Sequence, residues 1–302
     1  MSEPAALEAH GLGKRYGSNW ALRDCTLELP AGSVTALVGP NGAGKTTLLQ
    51  LACGLSSPTA GTVRVLGLSP QRDAHTLLPR VGFVAQEHPL HRGFTIRETL
   101  KLGRKLNPGW DDSFARERIE RLGLPTGKRI AKLSGGQQAQ VALTLALAKR
   151  PELLLLDEPV ASLDPVARRE FLNTIMEAVS EDGVTVVLSS HIIADLQRVC
   201  DQLVILSGGR AELVGSIDDI LASHRLLTGA RGNAEEVARV HAVIRESHTD
   251  RQTSLLVRAN GHVYDSRWEL HEIDLEEIVL AYLGYGRSAE PAHVPVEEAA
   301  SR

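Results

Sequence analysis

Aromatic side chains make up only 4% of this 302-residue chain, and it holds just three cysteines. Cys25, Cys53 and Cys200 are odd in number, far apart and in no CxxC or Cys/His spacing, so neither a disulfide framework nor a zinc site is indicated and buried or idle thiols are expected. No apolar run approaches the roughly 18 residues that a spanning helix needs. The most apolar stretches, such as Val141 to Ala148 and Leu153 to Leu156, fall well short, so any service to a membrane must come by docking onto a partner. Met1-Ser2-Glu3-Pro4 lacks the positive start and apolar stretch of a secretory signal, and no export of the chain itself is expected. The formal charge of −4 lacks the basic excess of nucleic-acid binders, so no direct binding to DNA or RNA is expected. No internal repeat is visible.

What is present is 43% hydrophobic residues in a length that suits one large globular domain, alone or with a modest appendage. Such a composition excludes a disordered chain. From about Ala5 to Leu29 the text reads as short strands broken by Gly11, Gly13, Gly17 and Pro30, which predicts an antiparallel sheet at the front. Ser33 to Val38 is a compact apolar strand, followed by a glycine-rich turn and a helical run from Lys45 to Cys53. Helical signals dominate from 87 to 149, with a capping box at Thr95-Ile96-Arg97-Glu98 and helical spacing over Asp111 to Leu122. An inserted helical subdomain is expected there. Leu153 to Leu156, Val184 to Ser189 and Leu203 to Ser207 then alternate with helical segments, the pattern of a parallel sheet covered on both faces. The expected divisions are a main domain at 5–225, a small mixed appendage at 226–286 and a disordered Pro/Glu/Ala tail at 287–302.

Gly39-Pro40-Asn41-Gly42-Ala43-Gly44-Lys45-Thr46, continuing into Thr47, satisfies G-x-x-x-x-G-K-[ST] between a predicted strand and a predicted helix. Glycines let successive backbone N–H groups converge on phosphate oxygens, and the helix start adds the positive end of its dipole. Lys45 can reach the β and γ phosphates, and the Thr46 hydroxyl can ligate Mg²⁺. This predicts ATP with Mg²⁺ as the ligand. Downstream, Leu153 to Leu156 empty into Asp157 and Glu158, followed by Pro159. Neighbouring strand residues point to opposite faces, so the two acids can take different tasks: Asp157 on Mg²⁺, and Glu158 orienting or deprotonating the attacking water. A lone Asp-Glu pair after a strand is more often a solvated turn; a phosphate loop upstream reverses the odds.

Leu133-Ser134-Gly135-Gly136-Gln137 resembles the signature motif of ABC ATPases. Ser134 and Gln137 also have the spacing of a capping box, so a purely structural helix start is the competing reading. Two glycines there cost helix stability and let a backbone approach an anion, which favours the functional one. The resemblance implies that Ser134, Gly135, Gly136 and Gln137 contact the γ-phosphate bound to an opposite subunit. It extends in order through Gln86 as the glutamine that senses Mg²⁺, Ser162-Leu163-Asp164 as the D-loop, His191 as the switch histidine on the γ-phosphate, and Tyr16 as the aromatic that stacks on adenine. Asp164 before Pro165 also reads as an ordinary N-cap with proline at the first helical position, and both readings can hold. One departure is Gln138-Ala139-Gln140, where many members of the family carry an arginine.

The fold so implied is α/β: an ABC-type P-loop ATPase with a mainly parallel core sheet flanked by helices, an N-terminal antiparallel β subdomain, an inserted α-helical subdomain and a small mixed C-terminal appendage. Since the signature acts in trans, the implied working unit is a head-to-tail pair, homodimer or heterodimer, on a separate integral membrane permease at the cytoplasmic face of the membrane. Leu106 to Asp111 resembles a segment of some bacterial exporter subunits, and the stretch Asp274 to Gly284 the closing helix of their C-terminal extension, so export is the direction implied. A non-transport ABC ATPase acting on ribosomes or DNA is the alternative, although two cassettes, a coiled-coil insertion and a basic surface are all missing from the sequence.

Overall fold

The computed structural model describes residues 5–161, 163–190, 193–232, 234–261 and 267–285. The chain opens with two long strands, β1 (Ala5–Tyr16) and β2 (Asn19–Pro30), paired antiparallel. Glycines do not break β1 as the sequence suggests. They are absorbed as bulges: the pairing shifts register between Ala9 and Leu12, where Gly11 takes φ +54°, and again between Leu12 and Lys14. After β3 (Val34–Val38) and α1 (Lys45–Ala52), β4 (Ala60–Val65) returns to the other edge of β1, completing an antiparallel sheet in the order β2-β1-β4.

A short helix, α2 (Ala74–Leu77), leads into β5 (Val81–Val84) and the helical insertion α3 (Ile96–Leu106), α4 (Asp112–Arg121) and α5 (Gly135–Leu147). Helix starts here are written locally. Thr95 and Glu98 form both bonds of the capping box expected at α3, and Asp111 caps α4 by accepting from the Phe114 N–H. The three helices enclose a small apolar core of their own, with Ile96, Leu100, Ile119, Ile130 and Val141 at its centre.

The chain then re-enters the main sheet through β6 (Leu153–Leu156), α6 (Pro165–Asp182), β7 (Thr185–Ser190), α7 (Ile193–Leu196), β8 (Gln202–Ser207), β9 (Arg210–Ser216) and α8 (Ile217–Ser223). The six strands lie in the order β5-β6-β7-β3-β8-β9, parallel except for the last, which returns antiparallel on β8. Every residue of β3, β6 and β7 is buried, as a sheet covered on both faces requires. Alternate residues of these strands feed two apolar cores, one on each face. All three cysteines are buried, Cys25 and Cys53 in one core and Cys200 in the other.

Residues beyond α8 are more regular than their sequence suggests. β10 (His224–Ala230), α9 (Ala234–Ala238), β11 (Ala242–His248), β12 (Gln252–Arg258) and β13 (Trp268–His271) build a four-stranded antiparallel sheet in the order β11-β12-β10-β13, closed by α10 (Leu275–Tyr285). Helix α10 packs on β8, α7 and β11. Its Leu275, Ile278 and Val279 share one continuous core with Leu203 and Ile205 of β8 and Leu196 of α7. The expected tail at 287–302 lies outside the described residues. No helix among the described residues is long and apolar enough to cross a membrane.

Candidate functional site

At the end of buried β3 the chain wraps through Gly39 to Gly44 and enters α1 at Lys45. Gly44 is the N-cap in the left-handed region at φ +106°, and a Cβ there would lie 2.6 Å from both the Ala21 carbonyl oxygen and the Leu22 side chain. Only glycine meets both demands. No side chain caps α1, so its first N–H groups are left for an anion at the positive end of the helix. Lys45 is 95% buried in a sense that matters: only 5% of it is exposed, and its Nζ donates to the Gly39 carbonyl at 2.7 Å inside the loop's curl.

The same Nζ lies 3.3 Å from Oε1 of Glu158. Here the structure corrects the expectation drawn from strand alternation. β6 ends at Leu156, and Glu158 sits beyond it at φ +44°, a conformation that non-glycine residues rarely take. A turn, rather than the pleat of a strand, is what separates the two acids. Asp157 is buried; its N–H donates to the Val84 carbonyl at 2.9 Å. Ser189, at the end of β7, donates its hydroxyl to Asp157 Oδ1 at 2.9 Å and accepts the Glu158 N–H at 2.8 Å.

A cleft of about 510 Å³ brings together Tyr16, Ala21, the loop residues Asn41, Gly42, Ala43, Gly44, Lys45, Thr46 and Thr47, then Gln86 and Glu158. Tyr16 is 50% exposed, and the Lys14 ammonium sits over its ring, 5.1 Å from the centre. Thr46 stands exposed at the head of α1, and Gln86 follows β5 and lines the same cleft. The Thr46 hydroxyl, the Gln86 amide oxygen and the Asp157 carboxylate are hard oxygen donors of the kind Mg²⁺ prefers; Thr46 and Gln86 line the cleft, whereas Asp157 is buried and does not. Gly39 and Pro40 contribute their carbonyls to Lys45, at 2.7 and 3.4 Å, rather than wall to the cleft.

Ser134 to Gln137 lie elsewhere. Among the described residues, none of the four lines this cleft. Both bonds of the capping box are made, Gln137 N–H to Ser134 Oγ and Ser134 N–H to Gln137 Oε1, each 3.2 Å, and Lys128 Nζ reaches Gln137 Oε1 at 3.3 Å. Ser134 and Gly135 are nonetheless exposed, so the start of α5 lies at the surface. Asp164 caps α6, accepting from the N–H groups of Val166 and Ala167 at 3.0 Å, and is exposed beside the exposed Val166. His191 and Ser162 lie outside the described residues.

Sequence reasoning did not single out Ser189, Lys128 or Arg118. Arg118 answers the departure noted after the signature: from α4 its buried guanidinium donates to Gln140 Oε1 at 2.7 Å and to Thr144 Oγ1 at 3.1 Å. Burial pulls its pKa down to about 10. A cation therefore does reach the signature helix, from a neighbouring helix. Only the polar end of an otherwise apolar strand marked Ser189 in the sequence; nothing local marked the other two.

A second, larger hollow of about 700 Å³ runs between the sheet edge at β5 and the helical insertion. It is apolar, lined by Leu55, Leu78, Phe83, Leu102, Leu106 and Trp110. Leu55 and Leu106 are 68% and 69% exposed, a concentration of bared leucine that a free surface seldom carries.

The ABC transporter family model matches residues 22–161. The chain is 35% identical over 235 residues to the phosphonates import ATP-binding protein PhnC of Thiobacillus denitrificans, covering 72% of this chain and 90% of that protein. It is 34% identical over 212 residues to the Nod factor export ATP-binding protein I of Rhizobium johnstonii, covering 68% of each. Among solved structures, a dimeric ATP-binding cassette in a post-hydrolysis state, bound to ADP and Pi, superposes with a TM-score of 0.63 at 27% identity, covering 70% of this chain and 98% of that one.

Proposed function

The chain belongs to the ABC transporter family of ATP-binding proteins, and from that premise we propose that it is the ATP-hydrolysing motor of a transporter whose membrane-spanning part is a separate permease. The observation that carries the reading is the single cleft that joins the phosphate loop, Tyr16, Gln86 and Glu158. Adenine stacks on Tyr16, and the phosphates enter the curl of Gly39 to Gly44 against the free N–H groups of α1. Thr46, Gln86 and Asp157 would hold Mg²⁺, whose charge would offset that of the phosphates. Lys45 gives up its contact with Glu158 for the γ-phosphate, the stronger anion. Glu158 then takes a proton from water as the water oxygen bonds to γ-phosphorus and the bond to the ADP oxygen breaks.

Because Ser134 to Gln137 lie off the cleft, at a helix start on the surface, each site is completed by those residues of a second ATP-binding subunit, with Asp164 and Val166 on the same seam. His191 is assigned the switch role on the γ-phosphate. ATP favours the closed pair through contacts made only there, and hydrolysis reopens it. The apolar hollow between β5 and the helical insertion is the seat we assign to the permease, and a position at the cytoplasmic face of the membrane is part of the same proposal. Export is the direction proposed, and uptake of cargo into inverted membrane vesicles is its readout.

Glu158→Gln tests the chemistry. The variant should bind ATP with wild-type affinity, release phosphate at least about 100-fold more slowly, and accumulate as a dimer in ATP by light scattering. Equal phosphate release by wild type and variant would remove Glu158 from the mechanism.

A further inference from the structure

We propose that Ser189 is a positioning residue for hydrolysis: one hydroxyl that fastens both acids of the site in the arrangement that separates their tasks. This rests on the reading of Asp157 and Glu158 given above. A serine hydroxyl has one proton to give and lone pairs to receive with. Ser189 gives its proton to Asp157 Oδ1 at 2.9 Å and receives the Glu158 N–H at 2.8 Å, so consecutive residues are pinned to the same oxygen. That oxygen is itself firmly placed. Ser189 is fully buried on β7, whose Leu188 is in register with Leu156, the last residue of β6 before the acids.

The pinned segment needs fastening. Glu158 is held at φ +44°, and a non-glycine residue keeps such a conformation only where its surroundings enforce it. Its N–H, locked onto Ser189, fixes the peptide between the two acids and so the direction in which the Glu158 side chain leaves. Asp157, 2% exposed, keeps Oδ1 committed to Ser189 on β7 by the donated bond, so its other oxygen is the one left for a metal ion. Without the hydroxyl, a buried carboxylate loses a donor and a half-buried N–H loses its acceptor. The peptide then relaxes toward ordinary φ, and the Glu158 carboxylate leaves the line of attack while the phosphate loop, on β3 and α1, stays as it was. Ser189 thus acts on turnover and on metal use rather than on nucleotide capture.

Steady-state ATPase kinetics and equilibrium ATP binding on the full chain decide it. Ser189→Ala should lower kcat about tenfold and raise the Mg²⁺ concentration for half-maximal rate, with Kd for ATP within about threefold of wild type. Ser189→Thr, which keeps the oxygen, should recover most of that loss relative to Ser189→Val, which has the same shape without it. A kcat for Ser189→Ala within twofold of wild type overturns the proposal, and so does equal impairment of the Thr and Val variants, which would assign the residue to packing alone. Glu158→Gln is run beside them: if it turns over normally, the reading of the acids fails; if it is dead while Ser189→Ala is normal, only the role of Ser189 does.

Discussion

Gly44 is asked for two things at once, a left-handed backbone and room for the Ala21 carbonyl against its α-carbon. Gly44→Ala should therefore destabilise the protein by about 2 kcal/mol or more, since backbone strain of this kind alone costs 1–3 kcal/mol. Denaturant unfolding measures it, and an unchanged midpoint would mean the loop adapts. The requirement could be read in the sequence because the phosphate loop's residue types are dictated by its own backbone. Lys45 and Thr46 were legible for the same reason. Ser189 was not: its two partners lie just past the end of a strand more than thirty positions away, and only the register of β6 with β7 brings them together. The divergence of Asp157 and Glu158 was anticipated from strand pleating and is in fact made by a strained turn, whose φ nothing in the local text reveals.

At the scale of elements, helix starts were the most legible features, because a cap and the N–H it accepts from lie within four residues. Asp111 goes further than a cap. Besides accepting from Phe114 N–H at 2.9 Å, it accepts from Ser113 Oγ at 2.7 Å and from Arg150, whose guanidinium also holds Asp182 at the end of α6 at 2.7 Å. These donors, the Phe114 N–H foremost, bring its pKa down from 3.8 to about 2. The unfolded chain therefore takes up this proton at a higher pH than the folded one. The stabilisation is fully present above pH 4 and is lost as pH falls from there to about 2. In Asp111→Asn, which still caps α4, the stability deficit against wild type should shrink across that window. Urea midpoints measured at steps of pH check it, and a pH-independent deficit would contradict it. The strands of the N-terminal sheet were less legible than the caps, since bulges let glycines sit inside β1 where the text suggests breaks, and β4 joins from a distant stretch.

For the molecule as a whole, the C-terminal sheet was the least legible part, since β10 pairs with β12 and β13 across long separations and the strand order is unlike the sequence order. Yet α10 closes the same core that holds β8 and α7. Ile278→Ala should cost about 2–5 kcal/mol, as fully buried truncations do, and should lower one shared thermal transition. Calorimetry resolving a separate melt for the C-terminal part would show the two to be independent. The main parallel sheet was read correctly because its central strands β3, β6 and β7 are short, mostly apolar and buried throughout, a pattern that survives without any knowledge of pairing. The buried thiols bring a practical return. Burial pushes Cys25 up to about 11 and Cys200 up to about 12, and raises Cys53 as well. At neutral pH almost none of the reactive thiolate is present at any of the three. A single new cysteine on an exposed face can therefore take a maleimide dye or spin label selectively in the otherwise native chain, so subunit separation can be followed spectroscopically through a turnover cycle.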